Sequence, residues 1–232
     1  MKRISPAFRL LALCLALTGA PSQAQESQPI TEAEKLLFMT DHLKAVSPPA
    51  TLRYSFSRTG TLEKSFRDTV EITVSSGGST GRQVGIRCLS AVGEHLDLVA
   101  IESAEGYPAL LCFLERDIRE MQRLTGAKNL RYFHKRIMVA LAANPEVRPV
   151  TVNHNGHAIQ AKEIRISPYL DDPNKERFAK YTGKYYVFTL AEEVPGGLYR
   201  VEAVIPGTGN EPPLIEEVMA YTSSSTETGA AK

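Results

Sequence analysis

Few residues in this 232-residue chain have types and spacing that could do chemistry. His154 and His157 flank Asn155-Gly156, a strong hairpin signal of the type I′ class, so the two imidazoles would face each other across a tight turn. Two nitrogens are too few to hold a metal, because zinc sites take three or four protein ligands. His42, His95 and His134 are scattered, and no cysteine or carboxylate stands at chelating distance in sequence. Asp171-Asp172 lies in loop-forming sequence, where Asp172 is placed to cap a short helix ahead of Pro173. The glycine-rich run 76–81 lacks the lysine and the strand-to-helix context of a phosphate cradle and reads as a hairpin tip. No serine or cysteine has the flanks of a known nucleophile. These residues assign no catalytic group, no metal and no cofactor, and the chain reads as non-enzymatic.

The cysteines follow from the N-terminus. Lys2, Arg3 and Arg9 precede an apolar run from Leu10 to Leu17, and Ser22-Gln23-Ala24 closes it with small residues, the organisation of a secretory signal peptide. The run is far shorter than the roughly 20 residues that span a bilayer. The expected location is the periplasm or the exterior. Cys14 leaves with the signal, so Cys88 and Cys112 remain as an even pair in an exported chain. They form either a disulfide or two buried thiols, and the sequence leaves both open.

Charge is nearly balanced, at 27 basic against 26 acidic residues. The first 24 residues hold three of the basic groups and no acid, which puts the mature chain at −2 and argues against a general nucleic-acid binder. The balance is uneven. From Leu110 to Leu141 seven basic residues oppose three acidic ones, so this stretch is the basic part. Arg116, Arg119, Arg123, Arg131, Lys135 and Arg136 are its candidate basic surface face, suited to an anionic membrane surface or an acidic envelope partner. The plainer reading of 115–120 is a solvated helix face, with Glu115–Arg119 and Arg116–Glu120 pairing four residues apart.

Leu110, Leu111, Leu114, Ile118, Met121 and Leu124 recur at helical spacing, as do Leu130, Phe133, Ile137 and Leu141, with Thr125-Gly126 between them. Two amphipathic helices are predicted there, inserted between two sets of strands. Thr31-Glu32-Ala33-Glu34 is a capping box, and the helix it opens is expected to run to Ser47, where Pro48-Pro49 stops it. Alternation marks strands at 52–57, 66–74, 84–88, 96–101, 147–153, 159–166, 186–190, 199–205 and 214–221. Ile159 and Ala161 share one parity and Ile164 and Ile166 the other, which predicts a β-bulge near Lys162 or Glu163. The expected class is α+β: a curved antiparallel sheet, a half-barrel of about eight to ten strands, with an N-terminal helix and a central two-helix insert. Residues 1–24 are the signal, 25–29 a flexible N-terminus, 30–221 one domain and 222–232 a disordered tail.

That order of elements resembles the periplasmic lipoprotein carriers of the LolA type, whose half-open barrel holds acyl chains under a helical lid. The segments FLERDIREMQRLTG and EIRISPYLDDP are also similar to a family of uncharacterised exported proteins of Gram-negative bacteria. No residue role comes with either resemblance. It implies a periplasmic protein that binds a lipid, an acyl chain or another apolar ligand in a half-barrel cavity. Leu52, Tyr54, Phe56, Leu114, Ile118, Tyr186 and Phe188 are the candidate lining. The alternative is an interaction or envelope-assembly module acting through the basic insert or a sheet edge, with a filled core.

Overall fold

Leu52, Tyr54 and Phe56 alternate with Arg53, Ser55 and Ser57, and a strand sends such alternating residues to opposite faces. The apolar set is buried and the polar set largely exposed along β1 (Ala50–Thr59). The other strands are β2 (Phe66–Ser76), β3 (Arg82–Cys88), β4 (Leu96–Ile101), β5 (Val147–His154), β6 (His157–Ile166), β7 (Tyr185–Leu190), β8 (Leu198–Ile205) and β9 (Ile215–Thr226). They form one open antiparallel sheet in the order β4-β3-β2-β1-β9-β8-β7-β6-β5. The computed structural model describes residues 29–77, 82–89, 96–101 and 107–226. The expected signal peptide at 1–24 and most of the glycine-rich run 76–81 lie outside them.

The order explains the helical insert. One meander, β1 to β4, ends at one edge of the sheet, and the second, β5 to β8, begins at the other. The chain must cross the width of the sheet between them. It does so as α2 (Pro108–Thr125) and α3 (Leu130–Ala142), which cover one face, α2 packing on β2, β3 and β8 and α3 on β6. Proline at the first turn starts α2 and Gly126, at φ 65°, ends it. Asn129 caps α3, its side chain accepting from the Arg131 amide at 3.0 Å. The last strand, β9, then fills the gap between β1 and β8. The fold is α+β, and Cys88 at the end of β3 is bonded to Cys112 in α2, with a Cα–Cα distance of 6.0 Å. No helix among the described residues is long and apolar enough to cross a membrane.

Four expectations need correction. The N-terminal helix is a single capped turn, α1 (Glu32–Glu34), continued by a π-helical stretch Lys35–Met39, and it stops at Thr40 rather than Ser47. There the Asp41 carboxylate accepts from the Leu43 amide at 3.2 Å, and His42 stacks on Tyr107 with ring centroids 3.3 Å apart. Leu43 and Val46 are still buried, so their periodicity reported burial and not helix.

β6 carries no bulge: its pairing with β5 runs unbroken from Val147↔Ile164 to His154↔His157. Both parities are buried because each face of β6 has its own core. Ile164 and Ile166 join the main one, while Ile159 and Ala161 pack with Ala191 and Val194 in a smaller cluster.

β9 continues through 222–226, pairing Thr226 with Ala50. Serines and threonines suffice there because β1 supplies the backbone partners. Finally, α4 (Lys175–Phe178) is capped at Asn174 and not at Asp172, whose carboxylate accepts from the Asn174 amide at 2.7 Å and faces α3.

Candidate functional site

The sheet register lines up six residues in one row under the helices. Ile166 of β6 stands opposite Tyr186, Tyr186 opposite Ala203, Ala203 opposite Glu217, Glu217 opposite Arg58 and Arg58 opposite Phe66. The helix-covered face is thus largely apolar, with a charged and phenolic stripe crossing it near one end of the strands. One turn of α2 answers it. Arg116 donates to Glu217 at 2.6 Å, Glu120 accepts from Arg58, and Asp117 accepts from the Lys184 ammonium and the Tyr186 hydroxyl, both at 2.5 Å. Arg58 also pairs with Glu217 at 3.2 Å, and the Arg116 guanidinium lies 4.8 Å from the Phe56 ring centre. Three cations thus meet three anions in an interface where Asp117, Lys184, Glu217 and Arg58 are all buried.

The electrostatics follow from that enclosure. Burial pushes the Glu217 carboxyl above its usual range, against the opposing pull of Arg116, Lys184 and Arg58. Glu120 is desolvated too, yet hydrogen bonds from Arg123 and Arg58 outweigh that and hold it at about 2. Burial and then the Asp117 charge push the Tyr186 hydroxyl well up, so it remains a donor. Every carboxylate in the stripe already has a cationic or phenolic donor. The chemistry available is therefore registration of a helix on a sheet, and no carboxylate is left free as a base.

A second polar joint fixes α3. Asp172 accepts from Tyr132 at 2.5 Å and lies 2.9 Å from the Arg136 guanidinium, while Phe178 packs between Tyr132 and Phe133 with ring centroids 5.7 and 5.9 Å away. A groove of about 310 Å³ opens beside this joint, between the outward side of α3 and the segment after β6, lined among others by Arg136, Val139, Ala143, Pro145, Ile166 and Asp171.

Leu52, Tyr54, Phe56, Leu114, Ile118, Tyr186 and Phe188 are all buried in the main core, and none of them lines that groove. The six residues of the candidate basic face divide. Arg116, Arg123 and Arg136 are committed to ion pairs, with Glu217, with Glu120 and Glu63, and with Asp172. Arg119, Arg131 and Lys135 are exposed. The expected Arg116–Glu120 pair along a solvated face does not form, because both side chains turn to the sheet, Arg116 to Glu217 and Glu120 to Arg58.

His154 stands opposite His157 across the Asn155-Gly156 turn, where φ is 52° and 85° at the two central residues. The His154 ring lies 5.7 Å from the Tyr221 ring centre. Among the described residues no three candidate ligands converge on a metal position.

Sequence reasoning missed Arg58, Glu217, Lys184 and Asp117, although a signal was there. Arg58 continues the buried phase of Leu52, Tyr54 and Phe56; Glu217 sits between Ile215 and Met219; Asp117 adjoins the apolar stripe of α2. A charge in the buried phase of an amphipathic element needs a partner, and here each has one.

The sequence matches no protein-family model and no curated protein. Among solved structures, it is similar to lipoprotein LppX of Mycobacterium tuberculosis at 8% identity, covering 74% of this chain and 84% of that one, with a TM-score of 0.31. A DUF1329 family protein from Desulfovibrio piger aligns at 10% identity over 88% of this chain and 96% of its own, also with a TM-score of 0.31. A LolA superfamily protein from Nitrosomonas europaea aligns at 9% identity over 84% and 90%, with a TM-score of 0.18. No residue role is carried over from any of them.

Proposed function

We propose that this chain is a non-enzymatic periplasmic protein that takes up a lipid, an acyl chain or another apolar ligand between the α2–α3 hairpin and the sheet, and that the arrangement described above is its shut, unloaded form. The observation that carries this reading is the mixed character of that interface. Its walls are apolar, with Leu52, Phe56, Leu114, Ile118 and Phe188 among them, yet six paired charges cross it. An interface held by ion pairs separates into water more readily than a wholly apolar one, because each charge recovers hydration on opening. The disulfide pins α2 to β3 at Cys112, so a displacement would swing the part of α2 beyond it, which bears Arg116, Asp117 and Glu120.

The test is native mass spectrometry of the protein purified from the periplasm without detergent, followed by uptake of a fluorescent long-chain fatty acid by the stripped protein. A stoichiometric apolar passenger, or saturable uptake that Leu114→Glu abolishes, supports the reading. A bare mass together with no uptake overturns it.

A further inference from the structure

Ion pairs are unevenly spread over the surface cations of this protein. On the sheet face turned away from the helices, Arg53 and Arg87 pair with Glu71, Arg148 with Glu163, and Arg200 with Glu202, Arg165 stacks on the Tyr185 ring, and Arg67 is outside any ion pair among the described residues. On the outward side of the helical hairpin, Arg119, Lys128, Arg131 and Lys135 are exposed, and among the described residues none of them forms an ion pair. Lys175, Arg177 and Lys180 on and just after α4 are likewise exposed and outside any ion pair. The two groups adjoin. The Asn174 side chain, next to Lys175, donates to the Tyr132 hydroxyl at 3.0 Å, and Tyr132 follows Arg131 directly. Against these seven cations stand three exposed or half-exposed acids without a partner, Glu115, Asp171 and Glu176. Two apolar side chains of the same helices, Leu111 and Val139, are exposed at 37% and 43%.

We infer that the outward face of the α2–α3 hairpin, together with α4, is a docking surface for an anionic phospholipid membrane. Seven Lys and Arg outside any ion pair on adjoining elements, with two exposed apolar side chains among them, match a surface of negative charge. Arg and Lys near an anionic leaflet are each attracted strongly, and flanking apolar side chains enter the headgroup region. Charge repulsion among these seven cations disfavours leaving the face bare, since Glu115, Asp171 and Glu176 offset fewer than half of them. The inference goes beyond uptake of an apolar ligand and does not depend on it.

Flotation with vesicles of phosphatidylcholine, with and without phosphatidylglycerol, tests this. The protein is expected to float with the phosphatidylglycerol vesicles at low ionic strength, to stay behind with pure phosphatidylcholine, and to detach at ~1 M salt, where the screening length is about 3 Å. The triple variant Arg119→Gln, Arg131→Gln, Lys135→Gln should partition about a hundredfold more weakly. The variant Arg53→Gln, Arg87→Gln, Arg148→Gln removes equal charge from the opposite face and should bind as the unaltered protein does. Absence of flotation on anionic vesicles, or equal loss in both variants, overturns the inference. An acidic protein captured by a chain that ignores the vesicles does so too. Fatty-acid uptake in vesicle-free buffer is read separately, so failure of membrane docking and failure of ligand binding are distinguishable.

Discussion

Glu217 on β9 and Arg58 on β1 face each other across the middle of the sheet, 3.2 Å apart, with 1% and 7% of their surfaces exposed. Each also reaches up to α2, Glu217 to Arg116 and Arg58 to Glu120. The four groups alternate in sign along the series Arg116–Glu217–Arg58–Glu120, whose two ends both stand on α2, which fixes both the rotation and the axial position of that helix over strands that come from opposite ends of the chain. A sliding apolar contact would fix neither, and removing any one member exposes its partners to an uncompensated charge.

Asp117 gives the sharpest test of this. It is the partner of both the Lys184 ammonium and the Tyr186 hydroxyl at 2.5 Å. Asp117→Ala leaves a buried cation alone and should cost about 3–5 kcal/mol, which lowers the melting temperature by about 10 °C in a domain of this size. Adding Lys184→Met removes the orphaned charge, so the double variant should melt above the Asp117→Ala single. Calorimetry of the three proteins decides it, and a double variant no better than the single would mean that Lys184 finds another partner.

Two glutamates in the stripe should give stability opposite dependences on pH. Glu217 has its folded pKa raised from 4.5, so the folded state binds the extra proton and stability from this group declines as pH rises above 4.5. Glu120 is lowered from 4.5 to about 2, so its contribution is full above 4.5 and is lost as pH falls towards 2. The stability difference between the unaltered protein and Glu217→Gln should therefore shrink with rising pH, and that for Glu120→Gln should shrink with falling pH. Urea unfolding of both variants across that range reads the two slopes, and slopes of equal sign would refute the assignment.

Gly60 ends β1 at φ 133°, and a Cβ built there would stand 2.3 Å from the carbonyl oxygen of Leu214, just before β9. The backbones approach that closely because the Thr61 and Leu62 amides donate to the Pro213 and Leu214 carbonyls at 3.1 and 3.0 Å. Gly60→Ala combines a disfavoured backbone region with a clash against main chain, so it should cost ~3 kcal/mol or more, measured by equilibrium unfolding. A cost below ~1 kcal/mol would mean that the crossing relaxes freely.

Strand positions and the helical hairpin were legible because period-2 and period-3.6 apolar patterns are local, and Asn155-Gly156 and Gly126 mark turns by their own backbone preference. The strand order was not. Nothing in β9 announces that it would lie between β1 and β8, and without that pairing Glu217 has no visible reason to occupy a buried phase. Arg116 and Glu120 misled for a related reason. Four residues apart on a helix they form a plausible surface pair, and only the sheet beneath supplies the stronger partners. β6 shows a further limit, since opposite parities in one strand signify a bulge when one face is buried and a straight strand when each face has its own core.

The Cys88–Cys112 bond joins β3 to α2 across 24 positions of sequence. It lies in the second turn of α2, one turn before Arg116, so the covalent tie and the ionic stripe hold successive turns of the same helix. Closing a loop of that length should contribute about 3 kcal/mol through the unfolded chain. Replacing both cysteines with serine is expected to lower the melting temperature by about 10 °C. With Asp117→Ala added to the cysteine-free protein, the two losses should exceed their simple sum, because neighbouring turns of one helix then lose both of their ties to the sheet. A double-mutant cycle on thermal unfolding measures that excess. Strict additivity would show that the stripe and the disulfide act on independent parts of α2.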